Sequence, residues 1–432
     1  MKKIAILLLI TLCMPTWAQT TLRVTRGHVH EIFTATPDEM VVRNTAVGHT
    51  LTISGVTYLT DQITRIVVSN DDAIADNTVD VVYNTDGTAD VTIAGNIAPY
   101  LQTTIVGQNV TINTDTTYKE VITYNLSGTA TAGAFNMDGK NNTQLNITDL
   151  SITSPDSAAI NIRNGKHCLI HVSGTNNFAD GVTGGQKGAF FCNGHATFVG
   201  DGTINITGRS RHGYRSDEYT IFSEEFTGHF NVLSSVGDAI HVQQYLQIAN
   251  GTFTITNNTG DGIDVSIHND STKAQNGNLM ISGGTFYVNA TQVDTKAIKA
   301  YRVITITGGE FNINVTGDGA KGIRAGTDFR TNGGIFNITL SGGVYNYINE
   351  EGVADDSNCQ GIRSKRDFYL AGDETNHPTF NIVNNSTDPL CYGIRVKGWL
   401  YYVATALKAS GFNTKDAKWR SGQAKKLDSI TF

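Results

Sequence analysis

A short motif recurs along the middle of the chain and limits what it can fold into. It is a glycine, one variable residue, then alternating apolar and polar residues. It reads Gly202-Thr203-Ile204-Asn205-Ile206, Gly228-His229-Phe230-Asn231-Val232, Gly251-Thr252-Phe253-Thr254-Ile255, Gly284-Thr285-Phe286-Tyr287-Val288, Gly309-Glu310-Phe311-Asn312-Ile313 and Gly334-Ile335-Phe336-Asn337-Ile338. The steps are 26, 23, 33, 25 and 25 residues, and a degenerate copy, Pro378-Thr379-Phe380-Asn381-Ile382, follows 44 residues later. A second motif interleaves with the first: Gly213-Tyr214-Arg215-Ser216, Ala239-Ile240-His241-Val242, Gly262-Ile263-Asp264-Val265, Ala297-Ile298-Lys299-Ala300, Gly322-Ile323-Arg324-Ala325, Gly361-Ile362-Arg363-Ser364 and Gly393-Ile394-Arg395-Val396. A unit of this length, with two or three short strands and no helix, cannot bury its apolar face alone. It must stack on copies of itself.

Composition agrees. Charged residues are 16% and the chain carries 45 Gly against 6 Pro, whereas an ordinary soluble domain is about 25% charged. Strong helix formers are sparse, and Ile, Val and Phe are too plentiful for disorder. A propeller blade needs about 40–45 residues, longer than most of these steps, and the leucine pattern of leucine-rich repeats is absent. The expected fold is an all-β, single-stranded right-handed parallel β-helix, each inward Ile or Phe contributing roughly 1.5–3 kcal/mol of burial.

The ends read differently. Lys2 and Lys3 precede the apolar run from Ile4 to Leu12 and the small-residue site ending at Ala18. This is the pattern of an export signal over residues 1–18, too short for a transmembrane helix. Residues 19–115 read as an N-terminal β cap with the first coils, residues 116–400 as the β-helix, and residues 401–432 as a C-terminal cap that includes a short helix. The net charge of −7 argues against a nucleic-acid partner. An exported chain places this one in the periplasm, on the cell surface or outside the cell.

Several segments, taken in order, are familiar. They are Tyr124-Asn125-Leu126-Ser127-Gly128-Thr129, Gln186-Lys187-Gly188-Ala189-Phe190, Gly200-Asp201-Gly202-Thr203-Ile204-Asn205-Ile206, His212-Gly213, Gly260-Asp261-Gly262-Ile263 and Ile281-Ser282-Gly283-Gly284-Thr285-Phe286. Over roughly residues 110–340 the chain resembles the secreted bacterial carbohydrate-binding β-helix family related to pectate-lyase-like proteins. The ending Asp428-Ser429-Ile430-Thr431-Phe432 is similar to a common tail of exported Bacteroidetes proteins. The resemblance implies a parallel β-helix, binding of polysaccharides including acidic, pectin-like chains, and bound calcium. It does not establish turnover.

Strand residues alternate faces. The residue after the central Ile of the second motif therefore points outward on every coil: Arg215, His241, Asp264, Lys299, Arg324, Arg363 and Arg395. A stacked, mainly cationic series would track a chain polymer, with arginines meeting uronate carboxylates in bidentate geometry. Arg215, His241, Lys299, Arg324 and Arg363 are the carbohydrate-binding candidates. The alternative is a solvated ladder neutralised by neighbouring acids. Two residues before that Ile, Asp238 and Asp261 fall on successive coils, and Asp264 shares the coil of Asp261. Carboxylates ~4.8 Å apart repel, and calcium prefers several carboxylate and carbonyl oxygens. Asp238, Asp261 and Asp264 are the candidate calcium ligands, against the reading that Asp in Gly-Asp-Gly is a turn residue.

Lyase chemistry on a uronate needs a base and a cation at the sugar acid. Lys299, Lys321 or Arg324 could be cast in those roles, and outward Asp pairs could be cast for glycoside hydrolysis. Neither pattern singles out a catalytic set. His212 is read as a turn histidine and Tyr214 as core, while Tyr245 is a candidate for stacking on sugar rings. Cys359 and Cys391 occupy equivalent positions and form a disulfide candidate, whereas Cys168 and Cys192 read as core thiols out of register. The chain is thus expected to bind an extended polysaccharide with calcium assistance. A polysaccharide lyase is the alternative and a surface adhesin the second alternative.

Overall fold

The computed structural model describes residues 21–34, 40–69, 73–413, 415–419 and 423–432. The export signal read at residues 1–18 lies outside them. Strand accounts for 57% and helix for 2%, and the strands form long continuous sheets rather than separate blades. The chain is a parallel β-helix whose coils contribute three strands each. One ladder is a 13-stranded sheet that runs through His212–Ser216, Ile240–Val242, Ile263–Val265, Lys296–Ala300, Lys321–Ala325, Gln360–Ser364 and Tyr392–Val396. These strands are parallel and in register from coil to coil. This first ladder is the second sequence motif.

The glycine motif forms the third strand of each coil, including Thr252–Asn258, Thr285–Ala290, Glu310–Val315, Ile335–Leu340 and Thr379–Asn384. Its glycines turn the corner: Gly251, Gly284, Gly309 and Gly334 have φ of 107°, 91°, 95° and 93°, a conformation that a side chain disfavours. Between these two strands lies a third kind that the motifs did not isolate. Tyr245–Ile248, Asn278–Ile281, Ile304–Ile306, Phe329–Thr331 and Phe368–Leu370 form it. Their signal is only an apolar–polar–apolar triplet.

The core is a set of columns. Ile240, Ile263, Ile298, Ile323, Ile362 and Ile394 stack under the first ladder, each 0–3% exposed. Phe253, Phe286, Phe311, Phe336 and Phe380 stack ring on ring at centroid separations of 5.0, 4.8, 5.1 and 5.0 Å. Tyr214 is fully buried with its hydroxyl 2.9 Å from Thr220 Oγ1, in the core as expected. The irregular sequence steps are extruded insertions. Residues 266–277 leave the coil after Ile263–Val265, and the antiparallel hairpin Val344–Ile348/Ala354–Asn358 precedes Gln360–Ser364. The register continues across both.

The N-terminal segment is antiparallel: Thr21–Arg26 pairs with Val29–Thr34 and Arg65–Ser69, and Met40–Thr45, Gly48–Ile53 and Val56–Leu59 form a small sheet. At the other end the helix Ala404–Ala409 precedes a last strand, Ala424–Leu427, which pairs with Leu400–Val403.

The cysteines need one correction. The register puts Cys359 and Cys391 on adjacent coils, since Gln360 pairs with Tyr392, yet both are free buried thiols. Cys359 Sγ donates instead to the Val315 carbonyl at 3.9 Å. Cys168 and Cys192 belong to different ladders, so they share no register. Both are buried core thiols, as read, and they are near enough across the coil interior to influence each other, which favours ionisation of Cys168 over Cys192. A register argument sees only neighbours within one sheet.

Candidate functional site

The first ladder presents its outward residues as one column: Arg215, His241, Asp264, Lys299, Arg324, Arg363 and Arg395 are directly paired in sequence. The structure divides that column in two.

In the first half every charge has a partner, which corrects the expectation of a uniformly solvent-facing series. Arg215 is 8% exposed and Asp264 is 6% exposed. The Arg215 guanidinium donates to Asp217 Oδ1 at 2.9 Å through Nε and lies 2.9 Å from it through Nη2, and Asp217 also pairs with Lys187. His241 Nδ1 lies 2.7 Å from Asp238 Oδ2 and 3.2 Å from Asp264 Oδ2. Lys299 Nζ lies 2.9 Å from Asp261 Oδ2 and 3.1 Å from Asp264 Oδ1. Burial lowers the Lys299 pKa, but Asp261 and Asp264 more than offset it and hold the ammonium charged beyond its usual range. Burial raises the Asp264 pKa, aided by Asp238 and Asp261 and opposed by Lys299 and His241. Burial also works against Asp238, but the His241 hydrogen bond and charge hold it below the usual carboxylate range.

The two Gly-Asp carboxylates also serve the backbone. Asp238 Oδ1 accepts the Asp261 N–H at 2.8 Å, and Asp261 Oδ1 accepts the Lys296 N–H at 2.8 Å. Each aspartate thus ties its turn to the next coil. His212 continues the series one coil earlier, its Nδ1 accepting the Asp238 N–H at 3.1 Å. The neutral ring then carries its proton on Nε2, which is buried with no hydrogen-bond partner among the described residues. Burial first, then the charge of His241, push its pKa down to about 3.

Asp238, Asp261 and Asp264 offer carboxylate oxygens within 4.8 Å of one another, so the three candidate calcium ligands do converge. The donor set nevertheless fits calcium poorly. Asp238 and Asp261 each accept a backbone N–H and pair with His241 or Lys299, while Asp264 has only ion-pair contacts, to Lys299 at 3.1 Å and His241 at 3.2 Å, its Oδ1 making no hydrogen bond among the described residues. Calcium needs 6–8 oxygens at about 2.3–2.6 Å.

The second half of the column is different. Arg324, Arg363 and Arg395 are stacked and half-buried. None of them has an ion pair with any described residue. Arg363 Nε is buried with no hydrogen-bond partner among the described residues. Burial lowers its pKa, and the charges of Arg324 and Arg395 lower it further. One turn beyond the strand, Lys365 and Lys397 are exposed and follow one another on the same two coils. Burial, Arg324, Arg363 and Lys397 together lower the Lys365 pKa. Adjacent cations at the ~4.8 Å strand spacing repel by about 1 kcal/mol in water and about 3–4 at an effective dielectric of 20. The acid that influences Arg363, Asp294, is committed to Lys296 and Lys321 at 3.1 Å each. The hairpin brings Tyr347 near Arg363 on one side, its ring stacked on Tyr345.

Lys365 and Lys397 were not singled out from the sequence. Their signal is a constant offset of three from the Ile column, visible once the register is known. Two residues cast for chemistry, and the sugar-stacking candidate Tyr245, are otherwise engaged. Lys321 is 1% exposed and bonded to Asp294, Gly319 and Ser357. Its pKa is lowered to about 8, chiefly by burial, but it faces no open surface. Lys299 is held by its two aspartates. The Tyr245 ring is stacked on Tyr219 at 4.7 Å, and Tyr219 on His195 at 4.4 Å. Tyr219 is thus covered on both faces and Tyr245 on one.

No curated protein matches this chain. Among solved structures it is similar to one described as the polysaccharide lyase-like protein from C. thermocellum, gadolinium derivative. The identity is 15%, the TM-score 0.47, and the match covers 59% of this chain and 96% of that one. Among the described residues no helix is long and apolar enough to cross a membrane. The model of the carbohydrate-binding domain-containing protein family matches residues 106–387, nearly the whole solenoid, and the chain belongs to that family.

Proposed function

We propose that the chain binds an extended anionic glycan of the uronic-acid type along the outward face of its first ladder, across the coils of Arg324, Arg363 and Arg395. The observation that carries this reading is the column of three stacked guanidiniums with no anionic partner, set on a chain of net charge −7. Unpaired cations that raise one another's energy are stabilised by an anion whose carboxylates repeat along a line. Arginine suits that role because its planar fork engages carboxylates with two hydrogen bonds. Lys365 and Lys397 extend the cationic surface beside the column. Arg215, His241 and Lys299 are not the contact residues in this reading, because their charges are spent within the protein. Export through the leader at residues 1–18 belongs to the proposal and would put the chain where such polysaccharides occur.

The test is affinity electrophoresis in gels containing polygalacturonate or a neutral glucan. Retardation by polygalacturonate alone is expected, and it should weaken as salt shortens the Debye length from about 10 Å at 0.1 M to about 3 Å at 1 M. Equal retardation at both salt concentrations would overturn the electrostatic mechanism. Release of unsaturated uronate product during the run would replace binding by lyase action.

A further inference from the structure

The family resemblance implies calcium, and the three converging aspartates look at first like its site. The geometry points to a different arrangement: Lys299 supplies from within the chain the positive charge that a divalent cation would bring to Asp238, Asp261 and Asp264.

Three observations carry this. Lys299 sits directly on the next coil from Asp264 in the outward column, so its side chain lies over the cluster by virtue of the register. Its Nζ lies between two of the three carboxylates, 2.9 Å from Asp261 and 3.1 Å from Asp264. The third carboxylate, Asp238, is satisfied by His241 at 2.7 Å and by the Asp261 amide at 2.8 Å. A calcium ion entering here would have to displace the ammonium from both aspartates and break the His241 contact. It would then leave the half-buried Lys299 without its counter-charges, a costly outcome in a partly desolvated site. The cluster is therefore an internal salt network, charge-paired by Lys299 and His241, that ties three successive coils together beside the glycan face. The consequence for function, which rests on the binding reading above, is that glycan retention needs no metal.

Lys299→Met tests the assignment, because it keeps most of the stem volume and removes the charge. Calcium is titrated calorimetrically into the full mature chain and the variant, without glycan. The native protein is expected to show no saturable uptake into the millimolar range and no change in melting temperature with calcium. The variant is expected to bind calcium at least about tenfold more tightly, since Asp261 and Asp264 then lack their cation, and to melt higher when calcium is present. Lys299→Arg, which keeps the charge, should behave as the native protein does. Saturable calcium uptake by the native protein, removed by a chelator, would overturn the assignment even if every variant failed to fold. A folded Lys299→Met chain with no gain in calcium affinity would overturn it as well. Loss of glycan retention on chelation would refute the metal-independent consequence. Absence of retention with or without calcium would instead count against the proposed function and leave the metal result standing.

Discussion

Replacing Arg363 by Gln separates a binding cation from a structural one, because the two roles predict opposite signs. Arg363 lies between Arg324 and Arg395 in the column, and its Nε has no hydrogen-bond partner among the described residues. Each neighbouring guanidinium, at a ~4.8 Å coil spacing, repels it by about 1 kcal/mol at the solvent-like limit. Removing the charge relieves two such contacts, partly offset by the packing of the lost stem. Folding stability is therefore expected to stay level or rise by about 1 kcal/mol. A hydrogen bond to a charged group contributes about 1.5–3 kcal/mol, so affinity for polygalacturonate should fall about 10- to 150-fold. Affinity electrophoresis gives the dissociation constant, and urea unfolding on the same samples gives the stability. Arg215→Gln is the control: its guanidinium is tied to Asp217, so it should lose stability and leave retention intact. Full glycan retention by Arg363→Gln, with a loss of stability, would refute the reasoning.

Two further outcomes follow from the core and the buried histidine. Phe311 stacks between Phe286 and Phe336, so Phe311→Ala should destabilise the solenoid by about 3–5 kcal/mol in urea unfolding followed by circular dichroism, and a loss below about 1 kcal/mol would argue against a continuous aromatic stack. His212 is buried neutral with its pKa lowered from 6.5 to about 3, so its stabilising contribution is fully present above pH 6.5 and is lost as pH falls toward 3. At 1.36 kcal/mol per unit, this amounts to something on the order of 5 kcal/mol, and the stability of His212→Asn, measured against pH, should fall less steeply over that window than that of the native protein.

The fold was legible because a parallel stack repeats its constraints. Each Ile and Phe of the two motifs reports the same inward position, so period and face could be read without knowing any contact. The outward column from Arg215 to Arg395 followed from the same register. What the sequence did not reveal was which of those charges are already neutralised. Asp217 pairs with Arg215 from two residues along, and Asp261 reaches Lys299 from 38 residues away. Both pairings depend on side-chain direction and burial, which a spacing argument does not contain. In sequence the stacked aspartates look mutually repelling, because the backbone amides and the ammonium that engage them come from the next coil. The middle strand of each coil was invisible as a motif, since a triplet such as Ile304-Thr305-Ile306 carries too little pattern to stand out. The meeting of Cys168 with Cys192 escaped for a related reason: it crosses from one ladder to another, where no period links the partners.

The most direct measurement is a diffraction structure of the chain with a bound oligogalacturonate. Sugar density is expected to run across the coils of Arg324, Arg363 and Arg395, with carboxylates on the guanidiniums and Lys299 still between Asp261 and Asp264. Density on another face of the coil, or over Arg215 and His241 with the three arginines bare, would contradict that placement.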